Sequence, residues 1–330
     1  MKRLSLMVIL IPLLGLSQDP TPPNGLTGTD LRDWLRDNWH TPWHNDLGYS
    51  GARIAMFGTI DNEDGVLECV YSGFTQPAEE VTFPDPINTE HTVPQSFFDS
   101  QLPMRSDIHH LFPTHSQANS TRGSLPFGEV NDNQADEWLI GSAGNYSESS
   151  NIPSSDIDDY SEIQFNVYFE PREVNKGNTA RAIFYFYTMY PDVGDISSVA
   201  DINTLFAWHQ NDPPDAMEVE RDEQIQAEQG NYNPYVRLPE LVDQAWDINI
   251  SLNESKPTIP FQYYPNERFI SFDGSVLDEV LLLDIGGNLV RSYSNISSLS
   301  LPELPSGIYL IQMRSEIHNY NIKLFLNKDY

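Results

Sequence analysis

The segment from Asn88 to Glu129 constrains the fold most strongly, because local turn signals divide it into three pieces. Pro94 cannot continue a central strand, Pro113 closes a second apolar run, and Gly123 is a typical residue just beyond a helix. Four of the eight histidines of the chain also lie in this segment. The pattern predicts two strands followed by a short helix.

The first strand ends with the dipeptide Glu90-His91. Neighbouring side chains on a regular strand point to opposite faces, so both can reach one site only where the strand ends or is irregular. The second piece, residues 106–112 (SDIHHLF), is predicted as a strand with Asp107 and His109 on one face.

The third piece carries a capping signal. Thr114 and Gln117 fit a capping box, which predicts a helix from His115 to Arg122. Asn119 lies four residues after His115 and three before Arg122, so these side chains share one face of the helix.

The residue types in the three pieces favour a site for a hard cation. Carboxylate and amide oxygens, completed by water, are ligands of Mg²⁺, and Mn²⁺ or Ca²⁺ are alternatives. A neutral histidine beside them can accept a proton from water, and the cation can stabilise charge at a phosphoryl centre.

Three ordered motifs lie in this segment: EHTVPQSF (90–97), SDIHHLFPT (106–114) and ANSTRGSLPFGE (118–129). They resemble the endonuclease I family of secreted and periplasmic bacterial nucleases, a branch of the ββα-metal (His-Me finger) nucleases. Similarity continues at 169–190, 205–214 and 229–246. The resemblance implies an α+β fold, with a ββα-metal nuclease core inside a mainly helical domain.

The resemblance also implies a role for each site residue. His91 would be the general base that activates a water, and Glu90 and Asn119 would be the ligands of Mg²⁺. Arg122 would contact a phosphate, with an ion pair to a local carboxylate as the alternative. The substrate would be DNA, with RNA left open, and cleavage would leave a 5′-phosphate and a 3′-hydroxyl. His109 would be a structural hydrogen-bonding residue.

The chain departs from the family pattern at several positions. Arg105 stands where the family usually has an acidic residue, and His110 where asparagine is common. Arg237 and Leu238 replace an acidic residue and a histidine. The charge reversal at Arg105 would alter metal affinity or phosphate binding.

The formal net charge is −30, from 48 acidic and 18 basic residues. Binding to nucleic acid rests on Lys and Arg, so a nuclease of this composition needs a local basic patch. The candidates are Arg105, Arg122, Arg172, Lys176 and Arg181. The acidity itself suits an extracellular protein that is kept soluble by surface carboxylates.

The N-terminus predicts export. Residues 1–17 place Lys2 and Arg3 before a short apolar run and small residues, which is typical of a secretory signal peptide and too short for a membrane span. The nuclease domain is then predicted at 18–250, and a linker at 251–261.

Residues 262–330 alternate apolar residues with glycine and proline turns, which predicts a small β-sandwich. The runs YYPNE, LLLDIGGNLV, LPSGIYLI and KLFLNK resemble the C-terminal sorting domain of type IX secretion cargo, with Glu267 in place of the usual proline. The resemblance implies the type IX secretion machinery as a partner and an extracellular or cell-surface location. A carbohydrate-binding or cell-adhesion module is the alternative.

Four further features complete the expectations. Cys69 is the only cysteine, which excludes an internal disulfide, and it is predicted to be a small buried hydrophobe. Residues 129–168 are polar and predict an acidic surface excursion. The dense aromatics of 177–190 predict a buried helix, and a second helix is expected at 214–229.

Two other functions compete with a nuclease. One is a zinc-dependent hydrolase using His91, His109 and His110, although no HExxH spacing supports it. The other is a catalytically inactive surface protein that binds nucleic acid, against which the intact Glu90, His91 and Asn119 set argues. In each case a monomer without a membrane span is expected.

Overall fold

The structure is a computed structural model that describes residues 19–78, 84–248, 262–264, 268–272, 277–284, 289–302, 304, 307–314 and 319–326. The predicted signal peptide and linker lie outside these residues. The chain divides into two compact units, Met1–Ile248 and Asn249–Tyr330, and each contains apolar core residues of its own. Helices and sheets mix in the first unit and strands fill the second, which confirms the α+β class. The predicted domain limits stay predictions.

The described residues form eight α-helices: α1 (Gly28–Leu35), α2 (Gly48–Ala55), α3 (Ser116–Arg122), α4 (Lys176–Met189), α5 (Ile202–Asn211), α6 (Ala216–Gln229), α7 (Pro234–Arg237) and α8 (Leu241–Ala245). Helices α1 and α2 continue as π-helical turns, Arg36–His40 and Met56–Ile60. No helix among the described residues is long and apolar enough to cross a bilayer.

Helix α4 lies at the centre of the first unit. Nearly every one of its side chains is buried, as its aromatic and aliphatic residues predict for a helix without a polar face. Helix α5 packs along it. Helix α6 is capped by Asp215, whose Oδ1 accepts the Glu218 N–H at 2.8 Å, and it ends at Gln229 as predicted.

The described strands are β1 (Asn62–Glu63), β2 (Val66–Glu68), β3 (Thr75–Pro77), β4 (Ile87–His91), β5 (Leu111–His115), β6 (Glu137–Ser142), β7 (Asn145–Ser149), β8 (Ser161–Gln164), β9 (Tyr168–Glu170), β10 (Gln262–Tyr264), β11 (Phe269–Ser271), β12 (Leu277–Asp284), β13 (Leu289–Ile296), β14 (Ser298–Ser300), β15 (Gly307–Arg314) and β16 (Asn319–Leu326). In the first unit they form three antiparallel sheets, with orders β1-β2-β3, β4-β5 and β7-β6-β8-β9.

The region predicted as a polar excursion differs from that expectation, because residues 137–170 supply the whole β7-β6-β8-β9 sheet. Four of its large apolar side chains are fully buried: Trp138, Leu139, Ile163 and Phe169. Three polar side chains of the same strands are buried as well: Ser161, Glu162 and Glu170. Strands β6, β8 and β9 are therefore packed into the first unit.

The second unit contains two sheets, with orders β10-β11-β14 and β13-β12-β15-β16. Side chains from both sheets share one apolar core, including Ile270 on β11 and Val280, Leu282 and Ile311 on the four-stranded sheet. This region is therefore strand-rich, as the alternation predicts.

Cys69 is fully buried in the first unit, and burial raises the pKa of its thiol far above the ordinary value. It packs as a small hydrophobe, as predicted.

Candidate active site

Two antiparallel strands and a helix bring the predicted site residues together. Strand β4 ends with Glu90 and His91, and His91 lies opposite Leu111, the first residue of β5. Strand β5 runs directly into α3, which carries Asn119 and Arg122. The predicted order of strand, strand and helix is therefore present around these four side chains.

The predicted strand at 106–112 is only partly correct. Asp107 instead caps a 3-10 turn over Ile108–His110, because its Oδ1 accepts the His109 N–H at 3.2 Å. Strand β5 begins only at Leu111. The expected alternation of Asp107 and His109 on one strand face is therefore wrong.

The start of α3 also differs by one residue from the capping-box prediction. His115, not Thr114, is the cap, and its Nδ1 accepts the Gln117 N–H at 3.3 Å. His115 has an extended backbone as the last residue of β5, which leaves its ring free to turn back over the first turn of the helix.

Glu90 is a buried carboxylate beside a buried cation. The Tyr71 hydroxyl donates to Oε1 at 2.8 Å, and Arg122 Nη1 lies 3.2 Å from the same oxygen. Burial raises the pKa of Glu90, while Arg122, Tyr71 and the backbone N–H of His91 act in the opposite direction. The ionised form of Glu90 therefore depends on positive charge nearby.

Arg122 is itself only 1% exposed. Nη1 donates to the carbonyl oxygen of His91 at 3.3 Å, and Nη2 donates to that of Thr92 at 2.9 Å. Its guanidinium also lies 4.5 Å from the ring centroid of Phe127. In this structure Arg122 makes the ion pair that the sequence left as the alternative, and a contact with phosphate stays a prediction.

Asn119 is oriented by one hydrogen bond. Nδ2 donates to the carbonyl oxygen of Thr89 at 3.0 Å, which places the amide beside the end of β4. Within the described part of the chain nothing hydrogen-bonds to Oδ1, so this oxygen is available to a ligand.

His91 is held in one tautomer. Nε2 lies 3.1 Å from the carbonyl oxygen of Arg105, which can only accept, so we assign the ring proton to Nε2. Burial, His110 and the charges of Arg105 and Arg122 lower the pKa of His91 well below 6.5, although the bond to the carbonyl opposes them. The ring is therefore neutral near pH 7, with a lone pair on Nδ1 that no described residue occupies.

The residues at this site fit a hard divalent cation. The ligands on offer are the Glu90 carboxylate and the Asn119 amide oxygen, both of the type that Mg²⁺ prefers. A bound dication would also favour the ionised form of Glu90, whose pKa burial raises.

The five basic residues predicted to form a patch do not form one. Four of them are paired with carboxylates: Arg122 with Glu90, Arg172 with Glu68, Lys176 with Glu129, Glu170 and Glu173, and Arg181 with Glu218. Arg105 differs, because it makes no ion pair with any described carboxylate. Its guanidinium lies 4.2 Å from the ring centroid of Tyr49, next to His91.

The histidines of the zinc alternative are engaged elsewhere. Nε2 of His109 pairs with the carbonyl oxygen of Asn231 at 2.9 Å, which is the structural role predicted for it. Nε2 of His110 pairs with the carbonyl oxygen of Met104 at 2.7 Å. Across the described residues, these two and His91 do not form a group that could hold a metal.

Sequence reasoning missed a second polar cluster in the same unit. His40, His44 and Asp107 each offer one ligand atom, and these atoms lie within 4.8 Å of one another. The spacing of four residues between the histidines was the available signal, since it places both on one side of a helical turn.

Three curated nucleases are similar to this chain. An extracellular ribonuclease of Bacillus amyloliquefaciens is 30% identical over 176 residues, which cover 48% of this chain and 53% of that protein. An extracellular ribonuclease of Bacillus subtilis (strain 168) is 30% identical over 176 residues, covering 48% and 54%. An extracellular deoxyribonuclease of Aeromonas hydrophila is 26% identical over 213 residues, covering 57% and 80%. The chain spans about half the length of the two ribonucleases.

The sequence model of the Endonuclease I family matches residues 42–240, which are more than half of the chain and include all of α2 to α7. The matched range contains Glu90, His91, Asn119 and Arg122. The protein belongs to the endonuclease I family.

Proposed function

We propose that this protein is a secreted, metal-dependent endonuclease that hydrolyses phosphodiester bonds without strong sequence preference. The observation that carries the proposal is the state of His91: a neutral ring whose Nε2–H is fixed by a backbone carbonyl and whose Nδ1 lone pair is free. His91 follows Glu90 at the end of β4, and Asn119 on α3 donates a hydrogen bond to Thr89 of the same strand. The family membership supports a nuclease at this site.

In this proposal His91 acts as the general base. Nδ1 accepts a proton from a water molecule, and the water oxygen attacks the phosphorus. The Arg105 carbonyl accepts the Nε2–H bond and would stabilise the imidazolium formed by this transfer. A ring that is neutral before the reaction and stabilised after it is suited to a base at neutral pH.

Glu90 and Asn119 would hold the metal. A divalent cation there, Mg²⁺ in our proposal, would stabilise the extra charge on the phosphate and on the departing 3′ oxygen. The Tyr71 hydroxyl and the Arg122 guanidinium fix the Glu90 carboxylate, and the Thr89 carbonyl fixes the Asn119 amide.

Arg105 is the basic residue that we propose for the phosphate. It stacks on Tyr49 beside His91, and among described residues no carboxylate neutralises it. Arg122, by contrast, already donates to Glu90 and to two backbone carbonyls. Arg105 and a metal would take the place of the basic patch that the five candidate residues do not form.

The substrate is proposed to be DNA, with RNA as a second substrate. The relatives in Bacillus are described as ribonucleases and the relative in Aeromonas as a deoxyribonuclease, so the similarity supports both polymers. Contacts limited to phosphates would give little sequence preference. The products would carry 5′-phosphate and 3′-hydroxyl ends.

Export is proposed through the signal peptide at 1–17 and a sorting role for the C-terminal unit. The extracellular descriptions of the relatives support a secreted protein. The motifs of the C-terminal unit lead us to propose the type IX secretion machinery as its partner, and the protein is proposed to be a monomer.

The proposal is tested by incubating the mature protein with supercoiled plasmid and with single-stranded RNA. We expect nicking in Mg²⁺, none in EDTA, and recovery when Mg²⁺ is added back in excess. Ligase should reseal the nicks directly, because the ends carry a 5′-phosphate and a 3′-hydroxyl. Full activity in EDTA would refute metal dependence, and nicks that need end repair before ligation would refute the chemistry.

A further inference from the structure

We propose that His40, His44 and Asp107 form a second metal site, for a transition dication such as Zn²⁺, separate from the Glu90–Asn119 pair. One nitrogen from each histidine and one carboxylate oxygen lie within 4.8 Å of one another. Two imidazoles and a carboxylate are a ligand set typical of Zn²⁺ and Co²⁺, whereas the Glu90–Asn119 pair offers only oxygens.

The local backbone places the two histidines side by side. His40 ends the π-helical turn that follows α1, and the His44 N–H donates to the His40 carbonyl oxygen at 2.8 Å. Their rings are stacked, with centroids 4.4 Å apart and planes inclined by 19°. One chain turn therefore places the two imidazoles next to each other.

His44 is oriented as a metal ligand would be. Nδ1 lies 3.1 Å from Asn231 Oδ1, and Gln229 Nε2 donates to the same oxygen at 3.0 Å, so this oxygen accepts and Nδ1 carries the proton. Nε2 then holds a lone pair, yet it is buried without a hydrogen-bond partner. Histidine ligands are commonly fixed through their other ring nitrogen in this way.

His40 and Asp107 are buried, and each offers a ligand atom within 4.8 Å of one nitrogen of His44. Nε2 of His40 lies 3.8 Å from Asp107 Oδ2 and 3.2 Å from the Tyr190 hydroxyl.

Asp107 must release one hydrogen bond to bind a metal. Gln229 and the His109 N–H donate to Oδ1, and Tyr185 and Tyr190 donate to Oδ2 at 2.9 and 2.7 Å. These four donors occupy all the lone-pair positions of a carboxylate. Tyr190 is the donor that can leave, because it is less buried than Tyr185 and already contacts His40.

A metal bound by His40, His44 and Asp107 would link residues 40–44 to the turn that begins at Asp107. Asp107 caps the turn over Ile108–His110, two residues after Arg105, whose carbonyl oxygen accepts from His91. His40 ends the π-helical turn that follows α1, and His44 lies four residues later. An ion that binds only the folded state would stabilise the first unit as its concentration rises.

The test uses the full mature chain, without an affinity tag, carrying Glu90→Gln and Asn119→Ala so that the catalytic pair cannot contribute. After EDTA treatment we titrate Zn²⁺ and Co²⁺, measuring bound metal by mass spectrometry, the visible spectrum of Co²⁺ and the melting temperature. We expect one equivalent of bound metal and a higher melting temperature.

Three added variants sharpen the test. His44→Gln should abolish the bound equivalent, and Asn231→Ala should weaken it about ten- to a hundredfold, as the loss of an orienting partner does. Tyr190→Phe should tighten binding roughly tenfold, since it removes a competing hydrogen bond to a charged oxygen. A purely structural cluster would show no metal-dependent change in any of them. His209→Gln, a buried histidine outside the cluster, is the matched control.

The proposal is overturned if the background protein binds no metal, or if His44→Gln binds as much as the background does. If His44→Gln does not fold, His40→Gln takes its place, and Tyr190→Phe remains decisive because weaker or unchanged binding in it contradicts the geometry. Loss of nuclease activity in the background is expected and bears only on the catalytic site.

Discussion

Glu90 and Asp107 are both buried carboxylates of the first unit, but their surroundings differ. Glu90 accepts a hydrogen bond from the Tyr71 hydroxyl and pairs with the Arg122 guanidinium. Both contacts lower its pKa, but burial has the larger effect and raises it. Asp107 accepts four hydrogen bonds. Burial acts to raise its pKa as well, but the neighbouring histidines, His44 and His109 foremost, lower the pKa below its ordinary value. The ionised form of Glu90 therefore still needs positive charge nearby, which suits a catalytic metal ligand, whereas Asp107 can bind a metal only after the Tyr190 hydroxyl has left it.

The largest expected effect comes from removing the cation beside Glu90. Arg122→Ala leaves a buried carboxylate without its charged partner, which should cost about 3–5 kcal/mol of folding free energy. Urea unfolding measures the loss. Arg172→Ala is the matched control, because its partner Glu68 is 59% exposed in its side chain and such pairs contribute less than about 1 kcal/mol. Equal losses in the two variants would contradict the account of Glu90.

The two carboxylates should differ in their effect on activity. Asp107→Asn keeps the shape but weakens several charge-assisted hydrogen bonds, so we expect a loss of about 2–3 kcal/mol in folding free energy. Glu90→Gln should abolish plasmid cleavage, and it should also lower the folding free energy because the buried Arg122 guanidinium loses its charged partner. Both quantities are measured on both variants, and cleavage that survives in folded Glu90→Gln would contradict the role assigned to Glu90.

Acid should destabilise the Asp107 neighbourhood over a defined range. Burial lowers the pKa of His40, His109 and His110 to about 4 from an ordinary 6.5, so the unfolded chain binds more protons between these values. The contribution of these histidines to stability should fall as the pH drops from 6.5 towards 4, by up to about 1.4 kcal/mol per pH unit for each group. Glu162 and Asp222 oppose this change, because burial raises the pKa of each to about 8 and the folded chain then binds more protons. Unfolding curves of wild type and His110→Gln at several pH values isolate one histidine, and an equal pH dependence of the two proteins would contradict the burial of a neutral His110.

In saturating Mg²⁺, which favours the ionised form of Glu90 although burial raises its pKa, the acid limit of activity should reflect His91. Its pKa is lowered well below 6.5, so the base stays deprotonated and cleavage should persist below pH 6.5 while the protein remains folded. A rate profile measured within the folded range tests this. An apparent pKa at or above 6.5 for the loss of rate would contradict the proposed neutral base.

The smallest expected effect concerns the one unpaired arginine of the site. Arg105→Ala should reduce the slope of log affinity against log salt by about 1, as the loss of one phosphate contact does. Arg237→Ala, whose partners include the exposed Glu223, is the control. An unchanged salt slope in Arg105→Ala would remove Arg105 from the phosphate site.

Local signals in the sequence were enough for much of the fold and part of the site. Pro94 and Gly123 marked the end of β4 and of α3 within a few residues, and the aromatic run at 177–190 predicted α4. The site residues could be predicted from the sequence because they lie on β4 and α3, which are close together in the chain.

Long-range contacts explain the errors. The turn at Ile108–His110 replaces a strand because Asp107 is held by Gln229, Tyr185 and Tyr190, which lie 122, 78 and 83 residues away. The predicted basic patch is likewise cancelled by partners such as Glu218, which lies 37 residues from Arg181. No local pattern identifies such partners.

The central claim is that His91 is the base of a metal-dependent nuclease, and single-turnover cleavage of plasmid in saturating Mg²⁺ by wild type and His91→Ala tests it most directly. A folded variant, verified by its melting curve, should cleave about 10²–10⁴-fold more slowly. Cleavage at the wild-type rate would contradict the account and transfer the search for the base to another residue.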